Sequence, residues 1–126
     1  MEDNPADVVL VMEAFKRHDV ACEINAISDG DQALRHIDQI EAGATSCPDL
    51  VILDLNLPKR PGLDVLKRIK LSAVCAHVPI VILTSSDNQR DRESVAFYSP
   101  AGYTLKPTEL SELVSLGAEF KRLLQQ

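Results

Sequence analysis

Three polar residues, Asp54, Thr84 and Lys106, each stand at the end of a short apolar run. Leu50–Leu53 leads into Asp54, Ile80–Leu83 into Thr84, and Tyr103–Leu105 into Lys106. If these runs are parallel strands, all three polar groups project at one edge, because the ligand crevice of an open parallel sheet lies beyond the carboxyl ends of its strands. A carboxylate, a hydroxyl and an ammonium gathered there suit a metal-assisted reaction on an anion. Glu2 and Asp3, just ahead of a helix opening at Pro5, bring further carboxylates toward the same edge. Clustered carboxylates repel one another, and a cation relieves that repulsion. Mg²⁺ fits, since it takes one or two carboxylates together with phosphate oxygens and retains several waters. Phosphoryl transfer asks for positioning and charge neutralisation more than covalent help. On this pattern Asp54 is the nucleophile, and Asp3 with Glu2 beside it holds Mg²⁺. The backbone carbonyl of Asn56 is a further ligand. Lys106 neutralises the phosphoryl oxygens, and the Thr84 hydroxyl hydrogen-bonds one of them.

The elements that must position these groups alternate between helical and strand patterns, as in a mostly parallel sheet built from βα repeats. Val8, Val11, Met12 and Phe15 recur at helical spacing, predicting a helix over 5–18 entered through Pro5. Ile24–Ile27 reads as a short strand closed by Ser28-Asp29-Gly30. A helix follows from Asp31 to Ala42, with Ala33, Leu34, Ile37 and Ile40 on one face and Gly43 as its stop. Leu50–Leu53 and Ile80–Leu83 are apolar on both faces, as strands covered by helices on both sides must be. Leu63, Leu66 and Ile69 carry a helix to Leu71, and 87–98 is helical with Val95 and Phe97 as core candidates. Thr108 and Glu109 start the last helix, whose apolar stripe is Leu110, Leu113, Leu116, Phe120 and Leu124.

In order along the chain, several motifs resemble those of bacterial response-regulator receiver domains. They are Glu2-Asp3-Asn4-Pro5-Ala6-Asp7, Leu53-Asp54-Leu55-Asn56-Leu57-Pro58 followed by Gly62, Pro79–Thr84, and Tyr103-Thr104-Leu105-Lys106-Pro107. The resemblance spans nearly the whole chain. It extends to the small stand-alone regulators associated with bacterial phytochromes, which share the Leu53–Pro58 and Leu83–Ser86 wording. It implies a flavodoxin-like doubly wound parallel sheet with helices on both faces. It also implies that Asp54 is the phosphoacceptor, charged by the phosphohistidine of a sensor histidine kinase, in this subgroup of phytochrome type. Glu2 and Asp3 are then the acidic pair, Lys106 the conserved-type lysine, and Thr84 with Tyr103 the switch pair. A cis Lys106–Pro107 bond is implied as well.

Composition narrows the alternatives. The 126 residues suit one domain, 1–126, and the 45% hydrophobic fraction is that of a folded globular chain. A formal net charge of −6 argues against binding nucleic acid or an anionic membrane. The local cluster Lys59, Arg60, Lys67, Arg68 and Lys70 reads as a solvated helix face, and His18, His36 and His77 share no ligand spacing. No apolar run is long enough to span a bilayer, and a cytoplasmic location follows. Cys22, Cys47 and Cys75, odd in number and without a CxxC pair, read as free thiols of a reducing cytosol. No output domain is expected beyond the last helix, so direct promoter binding is not expected. Two other functions compete: a receiver-shaped interaction module that is never phosphorylated, and a Mg²⁺-dependent phosphatase turning over an aspartyl phosphate. Such phosphatases use a second Asp two residues after the first as general acid, and position 56 is Asn. An enzyme beyond self-phosphorylation and self-dephosphorylation is therefore disfavoured, and a switch for a downstream partner is preferred.

The pattern departs from the family at its start. Receivers carry an apolar strand before the acidic pair, and here Met1 precedes Glu2 directly. The expectation is a domain whose first strand is absent from this chain. Each buried strand side chain contributes roughly 1.5–3 kcal/mol, and two interior strand edges would lose their partner. Three accounts are open: a natural start further upstream, which is favoured; a gap filled by another chain, as in a homodimer; or Val8–Met12 leaving its helix to act as the strand. In the chain as given, even if the sheet survives, Glu2 and Asp3 are expected on a free chain end beside the terminal ammonium, which should weaken Mg²⁺ binding and phosphorylation.

Overall fold

The computed structural model describes residues 1–20 and 22–125; Ala21 and the expected C-terminal end at Gln126 lie outside the described residues. In chain order the elements are α1 (Pro5–Arg17), α2 (Gly30–Glu41), β1 (Val51–Leu53), α3 (Gly62–Leu71), β2 (Ile80–Thr84), α4 (Gln89–Ala96), β3 (Gly102–Leu105) and α5 (Leu110–Leu124). The described strands form one parallel sheet in the order β1-β2-β3. Leu53 lies opposite Ile82, and Ile82 opposite Tyr103.

β2 shows why an unbroken apolar run belongs at the centre of such a sheet. Successive side chains of a strand point to opposite faces. Ile80 and Ile82 enter a core with Ala33, Ile37 and Ile40 of α2, Val65, Leu66 and Ile69 of α3, and Val95 of α4. Val81 and Leu83 enter the opposite core with Val11, Ala14 and Phe15 of α1 and Leu113, Leu116 and Phe120 of α5. Helices thus cover both faces, as the flavodoxin-like reading requires. The Phe15 and Phe120 rings meet at 5.1 Å between centroids.

Helix starts follow local chemistry. The Asn4 side chain accepts the N–H of Ala6 ahead of Pro5, the Asp29 side chain accepts that of Gln32, and the Asn88 side chain accepts that of Arg90. Each satisfies an amide that the helix itself leaves without a partner.

Several expectations need correction. Val8–Met12 stays in α1, as its helical spacing predicts, and the account in which it acts as the missing strand falls. Met12 is exposed, and Ala14 takes a place in the buried stripe. Residues 24–27 form no strand. Their apolar pair had suggested one, but a strand is defined by its neighbour. The Ile27 carbonyl accepts the N–H of Glu2 at 2.8 Å and marks the limit of that pairing. Phe97 is not core: it is 82% exposed, because α4 turns only Val95 inward. Leu110 also lies outside its stripe, and Leu123 takes the inward position.

The Lys106–Pro107 bond is trans, as is every peptide bond among the described residues; a Lys-Pro dipeptide alone does not select the isomer. Cys47 and Cys75 are joined in a disulfide, with Cα atoms 5.9 Å apart, and only Cys22 is a free thiol. Their separation of 28 residues along the chain hides the proximity, because each lies just ahead of one of two adjacent strands, β1 and β2.

The chain start is better held than the sequence suggests. The Met1 ammonium donates to the Ile52 carbonyl at 3.0 Å, and the N–H of Asp54 donates to the Met1 carbonyl at 3.2 Å. Met1 thereby forms a ladder rung on the edge of β1 opposite β2, and Glu2 links that rung to Ile27. Glu2 is not a frayed end. Burial draws the Met1 ammonium below its usual pKa.

Candidate functional site

The parallel register delivers the three strand-end residues to one edge. β1 ends at Leu53, so Asp54 is the next residue out, and Thr84 closes β2 opposite Leu105. The N–H of Lys106 then donates to the Thr84 carbonyl at 2.8 Å, fixing the start of the Lys106 side chain beside β2. From there its Nζ reaches Asp54 Oδ2 at 2.9 Å and Glu2 Oε2 at 3.0 Å. Asp54 is 4% exposed, and its Oδ1 accepts the N–H of Asn56 at 3.0 Å. Both carboxylate oxygens therefore have a partner, as a buried carboxylate requires. Gly62 lets α3 start directly against this loop: its N–H donates to the Leu55 carbonyl at 2.9 Å, and a Cβ there would lie 2.6 Å from the Leu55 Cα.

Glu2, Asp3 and Asp54 each present an oxygen, and these oxygens all lie within 4.8 Å of one another. Asp3 is exposed and Glu2 half-buried, so the cluster opens to solvent. An all-oxygen, all-carboxylate set fits a hard divalent cation. Burial pushes the Glu2 carboxyl above its usual range, against the opposing pull of Lys106. For Lys106, burial alone would lower the pKa, but hydrogen bonds to Asp7, Asp54 and Glu2 more than offset it and hold the ammonium above the ordinary lysine range. Raised values on both members of the Glu2–Lys106 pair do not conflict. Glu2 has one ammonium to offset its burial, and Lys106 has three carboxylates.

Thr84 is fully buried, and its Oγ1 accepts the N–H of Ser86 at 3.2 Å. The Tyr103 hydroxyl donates to the Ser86 carbonyl at 2.9 Å, and the Arg92 guanidinium lies 4.6 Å over the Tyr103 ring. Burial raises the Tyr103 phenol. Thr84 and Tyr103 thus meet through Ser86, a residue the sequence reading passed over.

A second omission is Asp7, whose Oδ2 lies 2.6 Å from Lys106 Nζ. No helical periodicity marks it, because its partner lies 99 residues further along the chain. A hollow of about 390 Å³, lined by Arg92, Val95, Pro100 and Tyr103 among others, lies between α4 and β3. Glu2, Asp3, Asp54 and Lys106 do not line that hollow.

A doubly wound sheet carrying an acidic cluster and a strand-end lysine at its carboxyl edge defines a class, and residues 1–116 match the family model described as the response regulator receiver domain. The chain belongs to that family, the phosphoacceptor signalling modules of two-component systems. Its likenesses are specific. It is 36% identical over 121 residues to the probable methanogenesis regulatory protein FilR2 of Methanothrix harundinacea, covering 96% of this chain and 78% of that protein. It is 38% identical over 92 residues to the response regulator Rcp1 of Synechocystis sp., covering 72% of this chain and 63% of that protein, which is less than two thirds of its length. The Mn²⁺-bound form of Rcp1 matches 96% of this chain and 88% of its own with a TM-score of 0.83 at 32% identity. The phosphorylated cyanobacterial phytochrome response regulator RcpA matches the whole chain and 91% of its own with a TM-score of 0.85 at 33% identity. Among the described residues, no helix is long and apolar enough to cross a membrane.

Proposed function

We propose that Asp54 accepts a phosphoryl group from the phosphohistidine of a sensor histidine kinase, and that the resulting change at Thr84 and Tyr103 alters binding of a downstream partner. The observation that carries this reading is the contact of Lys106 Nζ with Asp54 Oδ2 at 2.9 Å beside the carboxylates of Glu2 and Asp3. Glu2, Asp3 and Asp54, with the Asn56 carbonyl, would hold Mg²⁺, which when bound neutralises charge on the phosphoryl oxygens. Asp54 supplies the attacking oxygen, already oriented by the N–H of Asn56. Lys106 has an ammonium at hand to follow the phosphoryl oxygens once the Asp54 carboxylate becomes a neutral acyl group. The Thr84 hydroxyl, now accepting from Ser86, keeps its own proton to donate to a phosphoryl oxygen.

Moving Thr84 toward that oxygen loosens its hold on Ser86, and Ser86 carries the Tyr103 hydroxyl bond. That coupling is the proposed route from the acidic edge to the outer surface, a shift between two populations driven by the group bound at Asp54. Likeness to Rcp1 and RcpA favours a phytochrome-type kinase as the donor, and a cytoplasmic setting goes with that kinase, although the Cys47–Cys75 bond is of a kind rare in a reducing cytosol. Self-phosphorylation and self-dephosphorylation are the only chemistry proposed.

The test is intact-mass measurement after incubation with acetyl phosphate and Mg²⁺. One phosphoryl group per chain is expected, and none on Asp54→Asn. Unchanged mass of the unaltered chain, or equal labelling of the variant, rejects the assignment.

A further inference from the structure

We infer that Asp7 is a positioning residue for Lys106: its carboxylate takes one of the three N–H donors of that ammonium, and so limits how strongly Lys106 competes with a divalent cation for Glu2 and Asp54. The inference deepens the reading above and rests on it for the cation.

A lysine ammonium has three donors and no acceptor. Nζ of Lys106 stands 2.6 Å from Asp7 Oδ2, 2.9 Å from Asp54 Oδ2 and 3.0 Å from Glu2 Oε2. Three donors thus meet three carboxylates, and the shortest contact goes to the carboxylate outside the cation cluster, which is Glu2, Asp3 and Asp54. Among the described residues, the Asp7 side chain has Lys106 as its sole ion-pair partner. Asp7 sits in the first turn of α1, and Ala14 and Phe15 bury that helix against α5. The Asp7 and Lys106 side chains are 15% and 17% exposed, so water screens the pair only partly.

A cation at Glu2 and Asp54 draws on the same oxygens that Lys106 now holds. With Asp7 in place, the ammonium retains a short, partly buried ion pair after those oxygens turn away. Without Asp7 the ammonium must either tighten onto Glu2 and Asp54 or be left unpaired in a partly buried position, which is unfavourable. Both consequences weaken cation binding, although removing a carboxylate with no other role would weaken it only slightly. The dependence on Lys106 separates this from a structural role. If Asp7 acted through the fold or through general charge, its removal would matter equally whether or not residue 106 carried an ammonium.

A double-mutant cycle on the full chain reads this coupling directly. Mg²⁺ affinity is measured by titration calorimetry for the unaltered chain, Asp7→Asn, Lys106→Met and the double variant, with circular dichroism confirming the fold of each. Asp7→Asn is expected to weaken Mg²⁺ binding about fivefold, and Asp7→Glu to recover most of the loss. Lys106→Met is expected to bind Mg²⁺ at least as tightly as the unaltered chain. In that background Asp7→Asn should change affinity by less than about twofold. Asp7→Ser replaces Asp7→Asn if the latter does not fold. Equal losses in both backgrounds would make Asp7 a ligand or a bulk charge, and no loss in either would give it no role; both overturn the inference. If the coupling appears but Asp54 takes no phosphoryl group, the phosphoacceptor reading falls and this one stands. If the unaltered chain binds no Mg²⁺, both fall.

Discussion

Replacing Gly62 by Ala pushes directly on the backbone that carries Asp54. A Cβ at position 62 would lie 2.6 Å from the Leu55 Cα, 3.0 Å from the Asp54 carbonyl carbon and closer still to the Asp54 carbonyl oxygen. Ordinary van der Waals contact begins near 3.4 Å, so the Asp54–Leu55 backbone or the start of α3 must retreat by about 0.8 Å or more. Neither side yields easily. The N–H of Gly62 is bonded to the Leu55 carbonyl, and α3 is anchored by Val65, Leu66 and Ile69 in the core. Overpacking of this kind costs about 1–3 kcal/mol of stability. The larger effect falls on chemistry, since displacement of a reacting group by about 1 Å lowers a rate by roughly 10²-fold. The assay is the initial rate of phosphoryl gain by intact mass with acetyl phosphate and Mg²⁺, beside a urea melt. A variant that is labelled at the normal rate, with a melt within about 0.5 kcal/mol of the unaltered chain, would show that the close approach of Gly62 does not fix Asp54.

Three further outcomes are expected. Breaking the Cys47–Cys75 bond by Cys75→Ser should cost up to about 3–4 kcal/mol in the loop-entropy account for a separation of 28 residues, and thiol titration of the unreduced chain should find the Cys22 thiol alone. Phe120→Ala should lower unfolding stability by about 3–5 kcal/mol in a urea melt, because Phe120 is fully buried against Phe15. The acid limb of stability should carry two carboxyls held below their usual range: Asp29, by the Gln32 N–H, and Glu41, by Arg68 and then Ser72. A lowered folded pKa gives stability that is present above the unfolded value, near 4, and is lost as pH falls through the folded one. Asp29→Asn with Glu41→Gln should therefore flatten the loss of stability below about pH 4, and an unchanged slope would refute the assignment.

The parts legible in the sequence are those where local pattern and tertiary role coincide. Ile80–Leu83 announces a strand covered on both faces, and Asp54, Thr84 and Lys106 announce a shared edge because each follows such a run. What could not be read depends on neighbours distant in sequence. Residues 24–27 have strand-like composition, yet their pairing ends with a single rung from Glu2. Asp7 has an unremarkable place on a helix until α1 brings it to Lys106, which is 99 residues away. Cys47 and Cys75 become a pair only because β1 and β2 are adjacent. Hydrophobicity alone places Phe97 in the core, but one inward position, Val95, suffices to seat a helix as short as α4.

That economy at α4 has a mechanical consequence. The strand beside it is clamped from above and below by large side chains, whereas the helix is moored by Val95 and by a few polar tethers near Ser86, Asp91 and Arg92. Support is unevenly distributed: a firmly packed plank ends at the acidic edge at Thr84, and a lightly held flap begins five residues later at Gln89. A disturbance at the plank's end meets the least resistance in the flap, so the surface bearing Phe97 is where the molecule can change its outward shape at the smallest energetic cost.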